Sequence, residues 1–410
     1  MRLAYLLKKF PRLSETFILT EVLAQEALRP DLHIFSRRAP DNEPRHSELA
    51  QLKARVEVFP ERSAMDPWTL IFDQEAGGLN EAQWSRLRTL VPELSGLVGT
   101  RFSRLLGEAL HLLRRVDELG IDRIHVHFAT ESAVVAMLAR ELGGPPYSIT
   151  AHAKDIYRSA VRPELLDKLL IASAFTVTVC DANVEYLKEQ ISGAAASHVR
   201  RLYNGLALER FPYCSEGRRE NHILAVGRLV EKKGFDLLIE ALASARASGA
   251  PWTATIAGGG DEALNLQAQA RAAGLDQQVL EFTGPVDQDA VRELMKSASV
   301  FCLPCIVGTD GNRDALPTVL LEALAMGLAC VSTPVTGIPE ILDHGRAGLL
   351  VPERDAVALE SALAELLGDP HKRLEFARRG RARAEELFDA RQAGRTLADW
   401  FSETCTANSA

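Results

Sequence analysis

Apolar and polar positions along this chain switch between two periods, and the whole pattern occurs twice. Short runs rich in β-branched and apolar residues predict strands: LAYLL at 3–7, LHIFS at 32–36, VEVFP at 56–60, IHVHF at 124–128, YSITAHA at 147–153 and FTVTVC at 175–180. Between them, Phe17 to Ala27, ESAVVAMLAREL at 131–142 and ELLDKLLIAS at 164–173 repeat apolar positions every three or four residues and predict helices. Residues 62–120 read as mainly helical or irregular. The second half follows the same grammar, with HILAVG at 222–227, WTATIAG at 252–258, VLEFTG at 279–284, VFCLPC at 300–305 and ACVST at 329–333 set between amphipathic helices. Strands alternating with helices build βα units and a parallel sheet. The expected class is therefore α/β, with two doubly wound, Rossmann-like domains. Facing each other, they would hold a ligand in a cleft at the carboxyl ends of their strands.

The domain boundaries follow from turn formers and charge. Residues 1–205 make the first domain and 221–385 the second, with 206–220 as linker inside the stretch YNGLALERFPYCSEGRREN. A last helix within 386–410, ARQAGRTLADWFSE, is expected to run back onto the first domain.

Composition narrows the function. At 410 residues the chain exceeds one ordinary core. Its 47% apolar and 25% charged residues describe a globular protein. No run reaches the ~18 apolar residues of a spanning helix, and the N-terminal stretch is too charged for a secretory signal. Six scattered cysteines make no disulfide framework, so a reducing, cytoplasmic location is expected. Residues 1–205 carry 26 Lys and Arg against 26 Asp and Glu, so the net charge of −8 lies wholly in the second half. That acidic half argues against nucleic acid as a partner. The neutral first half leaves room for an anionic acceptor or a membrane surface. Such a membrane contact could use 101–115, where Phe102, Leu105, Leu106, Ala109, Leu110 and Leu113 share one helix face between arginines; covering a domain core is the alternative use of that face.

Candidate chemistry concentrates in the second half. Asp314 precedes Pro317 and so lies on a loop, while Glu322 sits in the helical pattern that follows. Free N–H groups at a helix start suit an anion or sugar hydroxyls, and two acids so placed can grip two ends of one small molecule. Ordinary first-turn acids at a solvated helix start are the plainer alternative. Arg228 and Lys233 follow Gly227 where the first strand of this half ends, and two cations at such a turn suit a diphosphate. Gly258, in the run Gly258–Gly260, offers either backbone room near a nucleotide or a plain tight turn. His127 and His152 each close a strand in the first half. Ser14, Glu15 and Thr16 would either cap the helix after them or line an acceptor site. Cys302 and Cys305 have redox or zinc spacing but no second pair, and an apolar setting that favours buried thiols. No metal is expected: Arg228 and Lys233 would supply the charge that Mg²⁺ otherwise brings.

The string DALPTVLLEALAMGLACVSTPVTGIPEILDHGRAGLL, at 314–350, resembles the donor-binding segment of retaining family-4 glycosyltransferases, an acid followed after seven residues by Glu. GRLVEKKG at 227–234 is similar to the family's G-R-L-x-x-x-K-G element, and TAHAKDIY at 150–157 to the segment whose histidine contacts the donor sugar. FPRLSETFI at 10–18 looks like the branch that builds bacterial exopolysaccharides of the colanic-acid type. The resemblance implies the GT-B arrangement and a nucleoside diphosphate sugar as donor substrate, UDP-sugar favoured, with no separate cofactor. It implies that Arg228 and Lys233 neutralise the diphosphate, Asp314 with the amides of Ala315 and Leu316 binds sugar hydroxyls, Glu322 binds the ribose and His152 the sugar near the reacting carbon. His127, Ser14, Glu15 and Thr16 then fall on the acceptor side. The acceptor would be a saccharide, free or linked to a polyprenyl diphosphate, met at the inner face of the cell membrane. Asp314 departs from the commoner Glu and reaches ~1.5 Å less far. An epimerase or phosphorylase on the same fold, or a non-catalytic sugar-nucleotide-binding subunit, are the alternatives.

Overall fold

The structure, a computed structural model, describes residues 1–42, 46–72 and 78–406. Two all-parallel sheets organise it. The first has strands β1 (Leu3–Leu7), β2 (His33–Ser36), β3 (Arg55–Val58), β4 (Arg123–His127), β5 (Tyr147–Ala151), β6 (Thr176–Thr178) and β7 (Val199–Arg201) in spatial order β3-β2-β1-β4-β5-β6-β7. The second has β8 (His222–Val226), β9 (Thr253–Ala257), β10 (Leu280–Gly284), β11 (Val300–Leu303), β12 (Ala329–Ser332) and β13 (Leu349–Leu350) in order β10-β9-β8-β11-β12-β13. In each sheet the strand order reverses beside the first strand, between β1 and β4 and between β8 and β11. That reversal splays the loops at the carboxyl ends apart and opens a crevice for ligand.

Central strands are buried along their whole length, which is why they read as continuous apolar runs rather than alternating ones. The edge strand β3 is largely exposed instead. The chain divides into two compact units, one of residues 1–179, 184–202 and 394–410, the other of 180–183 and 203–393. Leu3, Tyr5, Ile18, Val22, Ile34 and Phe175 anchor the first core.

The boundaries differ from the sequence expectation: residues 180–183, 203–220 and 386–393 all join the second unit. Residues 206–220 are not a free linker: Leu206 N–H donates to the Phe388 carbonyl at 2.7 Å, Cys214 N–H to that of Met326 at 3.2 Å, and Phe211 is buried. Turn formers and charge set this segment's conformation, but its apolar residues seal it against the second unit. The last helix, Ala390–Thr406, packs Leu397 and Phe401 into the first core, and Gln25 Nε2 donates to the Gly394 carbonyl at 2.6 Å. Residues 407–410 of the predicted segment lie outside the described residues.

The amphipathic stretch 101–115 has its apolar face covered. Leu105, Leu106, Ala109 and Leu110 are buried inside the unit, and Leu106 and Leu110 pack against Ile71, Leu87 and Leu142. Its cations are engaged at home too, Arg115 with Glu57 at 2.7 Å and Arg104 with Glu131 at 2.7 Å. This face covers the core.

Candidate active site

In the second unit, the loop after β8 turns at Gly227 and carries Arg228 out into solvent. Lys232 and Lys233 close a short turn of helix, Glu231–Lys233, that Gly234 terminates at φ 64°. A side chain at Gly234 would drive its Cβ to 2.0 Å from the Pro304 carbonyl oxygen, so only glycine lets the β8 and β11 loops meet there. Gly258 does the same one strand over: at φ 144°, an added Cβ would lie 1.9 Å from the Gly227 oxygen. Gly258 therefore holds the Gly227 turn in place through backbone contact.

Asp314 lies between the two lysines. Its Oδ2 is 2.5 Å from Lys233 Nζ and its Oδ1 2.7 Å from Lys232 Nζ. Burial works against the charged carboxylate, but the two ammonium groups outweigh it and hold Asp314 well below the usual carboxylate range. Cys305 Sγ approaches the same Oδ2 at 3.5 Å; burial pushes its thiol up, so it is a neutral neighbour and not a nucleophile. Cys302 is likewise buried and unpaired.

The helix Thr318–Ala325 starts next to Asp314. Pro317 is its N-cap and no side chain caps it. Ala315 and Leu316 are buried, and among the described residues their N–H groups meet no acceptor. Buried amides without an acceptor beside an uncapped helix start are a ready site for an oxygen ligand. Glu322, one turn on, is buried; burial pushes its carboxyl up to about 7, against Gln288, Arg210 and Arg292, which pull it down. Gln288 Nε2 donates to Glu322 Oε1 at 3.0 Å, and Arg210 Nη1 donates to Gln288 Oε1 at 2.8 Å.

In the first unit, His127 and His152 end adjacent strands and meet: Nδ1 of His127 is 3.1 Å from Nε2 of His152. His127 Nε2 lies 3.1 Å from Glu21 Oε1, which also accepts from the Tyr5 hydroxyl at 2.7 Å. Burial is the largest influence on Glu21 and acts upward, but His127, His125 and Tyr5 together bring its carboxyl down to about 2. Glu21 is therefore ionised and an acceptor. His127 then donates to it from Nε2–H, while its Nδ1 shares a hydrogen bond with His152 Nε2. Burial pushes His152 well below the usual imidazole range, and Asp155 fixes its loop by accepting from His152 N–H at 3.1 Å and Ala129 N–H at 2.8 Å. Glu21, His125 and His127 are close enough to share a metal ion, but both ring nitrogens of His125 are engaged by Ser148 and Thr150 at 2.8 and 2.9 Å. The donor set is that of a proton network.

A cavity of about 210 Å³ opens at the carboxyl ends of β1 and β4, the reversal point of the first sheet. Glu15 and His127 line it; Ser14 and Thr16 do not. The capping reading of 14–16 fails as well: Glu15 occupies the N-cap of the helix Thr16–Leu28 but caps nothing with its side chain, which accepts from Arg12 at 2.9 Å.

Sequence reasoning thus placed Arg228, Lys233, Gly227, Gly258, Asp314, Ala315, Leu316 and Glu322 on one sheet edge, and the structure draws Lys233 to Asp314. It missed Lys232, Gln288, Arg210, Glu21 and Asp155. Glu21 could have been found: three residues after Ile18 and four before Gln25, it shares their buried helix face.

This edge gathers clustered cations, buried acids and an uncapped helix start at the carboxyl ends of the second sheet's strands. Residues 14–210 match the sequence model of Glycosyltransferase Family 4, and residues 215–383 that of Glycosyl transferases group 1. The chain belongs to the family-4 glycosyltransferases. It is 27% identical to the amylovoran biosynthesis glycosyltransferase AmsK of Erwinia amylovora, with 97% of this chain and 98% of that protein covered. It is 28% identical, over the same shares, to the Salmonella typhimurium protein assigned to colanic acid biosynthesis as glycosyltransferase WcaL. Among solved structures it is similar to sucrose-phosphate synthase from Thermosynechococcus elongatus, with a TM-score of 0.75, 18% identity and 99% and 100% of the two chains covered. Anabaena Alr3699/HepE, solved with UDP and glucose, aligns at TM-score 0.72 and 17% identity over 97% and 99%. These likenesses establish the fold as GT-B.

Proposed function

We propose that this glycosyltransferase moves a hexosyl unit from a nucleoside diphosphate sugar to a saccharide acceptor in cell-surface polysaccharide biosynthesis, with retention at the reacting carbon and without a metal. The observation that carries the reading is the cluster of Arg228, Lys232 and Lys233 at the β8–β11 reversal, beside Asp314 and an uncapped helix start. Three cations neutralise the departing diphosphate, the role Mg²⁺ plays elsewhere. Asp314 and the free amides of Ala315 and Leu316 hold sugar hydroxyls, Glu322 holds the ribose, and His152 contacts the sugar at its reacting carbon. The bond from that carbon to the diphosphate breaks as the bond to the acceptor oxygen forms on the same face, and the acceptor's proton passes to the departing diphosphate.

UDP-sugar is the favoured donor, because HepE was solved with UDP-glucose, UDP, and UDP with glucose. A relative described as GDP-mannose-dependent, at 26% identity over 72% of this chain, makes guanine the competing base. A lipid-linked acceptor and a station at the inner face of the cell membrane complete the proposal. No described helix is long and apolar enough to cross a membrane.

Thermal shift against UDP, GDP, ADP and their sugars, on the wild type and Arg228→Ala, tests the donor site. A nucleotide at 100 times its dissociation constant adds ~2.7 kcal/mol. Stabilisation by one base, lost in the variant, supports the reading. No stabilisation by any nucleotide or sugar nucleotide ends it.

A further inference from the structure

The cavity at the β1–β4 reversal has a charge the transfer reaction does not itself demand. Lys8, Arg37, Arg101 and Lys154 stand on its wall, against Glu15 and Glu131. Both of those carboxylates are already engaged, Glu15 by Arg12 at 2.9 Å and Glu131 by Arg104 at 2.7 Å and Arg37 at 3.2 Å. Behind the wall, Glu108 is fully buried and takes up Arg37 at 2.5 Å, Arg38 at 2.7 Å and Arg104 at 3.0 Å. The other nearby acids are spent too, Asp41 on Lys9 and Asp155 on backbone N–H groups. Lys8 and Lys154 are left exposed at the mouth with weak compensation: Lys154 is 3.7 Å from Glu15, and no carboxylate pairs with Lys8 among the described residues.

The rest of the wall suits a sugar. Lys154 Nζ lies 3.9 Å over the centre of the Phe128 ring, and Phe128 adopts φ 70°, a conformation that a bulky residue rarely takes and that turns this ring to the strand end. Cations held over and beside an aromatic ring suit the anionic group of a sugar.

We propose that this cavity binds the anionic group of an acidic saccharide acceptor, a carboxylate or a phosphate, with Lys8 and Lys154 as the exposed cations that take it and Arg37 and Arg101 completing the positive wall. The proposal deepens the glycosyltransferase reading by naming the acceptor's chemistry, and rests on it only for calling the ligand an acceptor.

The test is calorimetric titration of the full chain with methyl β-D-glucuronide, α-D-glucose 1-phosphate and neutral methyl β-D-glucoside. Each is run on the wild type, Lys8→Gln/Lys154→Gln and Arg228→Ala, with unfolding midpoints confirming that the variants fold. Binding of at least one anionic sugar, weakened tenfold or more in the double lysine variant and kept in Arg228→Ala, is the expected result. Preference for the glucuronide identifies a uronic acid acceptor, and preference for the phosphate a phosphorylated one. Neutral glucoside binding as tightly as both anions overturns the proposal. So does anion binding that survives in the double variant or vanishes in Arg228→Ala, since it then belongs to the donor clamp; so does absence of binding by either anion. UDP titration of the same proteins separates the two readings: its loss in the wild type would remove the donor assignment and leave the anion cavity standing.

Discussion

Lys233 Nζ and Asp314 Oδ2 are 2.5 Å apart, and Lys232 closes on the second carboxylate oxygen at 2.7 Å. One acid thus pairs with two of the three cations offered to a diphosphate, cancelling the charge of one and leaving a net positive pair. The arrangement keeps two ammonium groups oriented in a largely buried place, where uncompensated charge would be costly. It also means that an incoming diphosphate competes with Asp314 for the lysines.

Asp314→Asn separates these effects. Removing the carboxylate leaves Lys232 and Lys233 without their partner, and stability should fall by about 2–4 kcal/mol in denaturant unfolding. The lysines are at the same time released to the ligand, so UDP affinity should hold or rise, while sugar transfer falls by about 100-fold or more. UDP binding lost as fully as in Arg228→Ala would sink the assignment of Asp314 to the sugar.

Glu322 gives a pH dependence with a definite sign. Its carboxyl is raised to about 7 in the folded chain, against 4.5 for the ordinary group. Between those values the folded state holds more protons than the unfolded, so stability drains away as pH rises from 4.5 to 7 and stays reduced above it. Glu322→Gln removes that loss. The variant should gain on the wild type between pH 5 and pH 8 by about 1–3 kcal/mol, read from unfolding midpoints at both values. An identical pH profile in the two proteins would show that Glu322 is ionised throughout.

The fold was legible because parallel strands buried on both faces leave continuous apolar runs, as at Leu3–Leu7 and His222–Val226. The short strands β7 and β13 were not, since Val199–Arg201 and Leu349–Leu350 are too brief to carry any period. Site residues tied to one local pattern, such as Gly227, Arg228 and Lys233 after a strand or Glu322 on a helix, could be read directly. Partners brought in from far along the chain could not. Gln288 reaches Glu322 across 34 residues, and Glu21 reaches His127 across 106. Nor could the helix face at 101–115 reveal what covers it, because a core and a membrane ask for the same apolar stripe.

The last prediction concerns Glu21 and the histidines it orders. An ionised Glu21 accepts from His127 Nε2–H, and the contact between His127 Nδ1 and His152 Nε2 holds one further proton. Nitrogen chemical shifts of the imidazole rings at pH 8 should show a proton on Nε2 of His127; a bare Nε2 there would refute the network as drawn. Because the Glu21 carboxyl is lowered to about 2, its contribution to stability is fully present above the ordinary value of 4.5 and is lost as pH falls toward 2. Glu21→Ala should cost about 2–4 kcal/mol at neutral pH, since it strands the buried Tyr5 hydroxyl and His127 N–H, and the difference from the wild type should shrink on acidification. Glu21→Gln keeps an oxygen for both donors and should recover part of the loss. If Gln recovers none while the fold is intact, the charge itself, and not the hydrogen bonds, holds the pair of histidines in place.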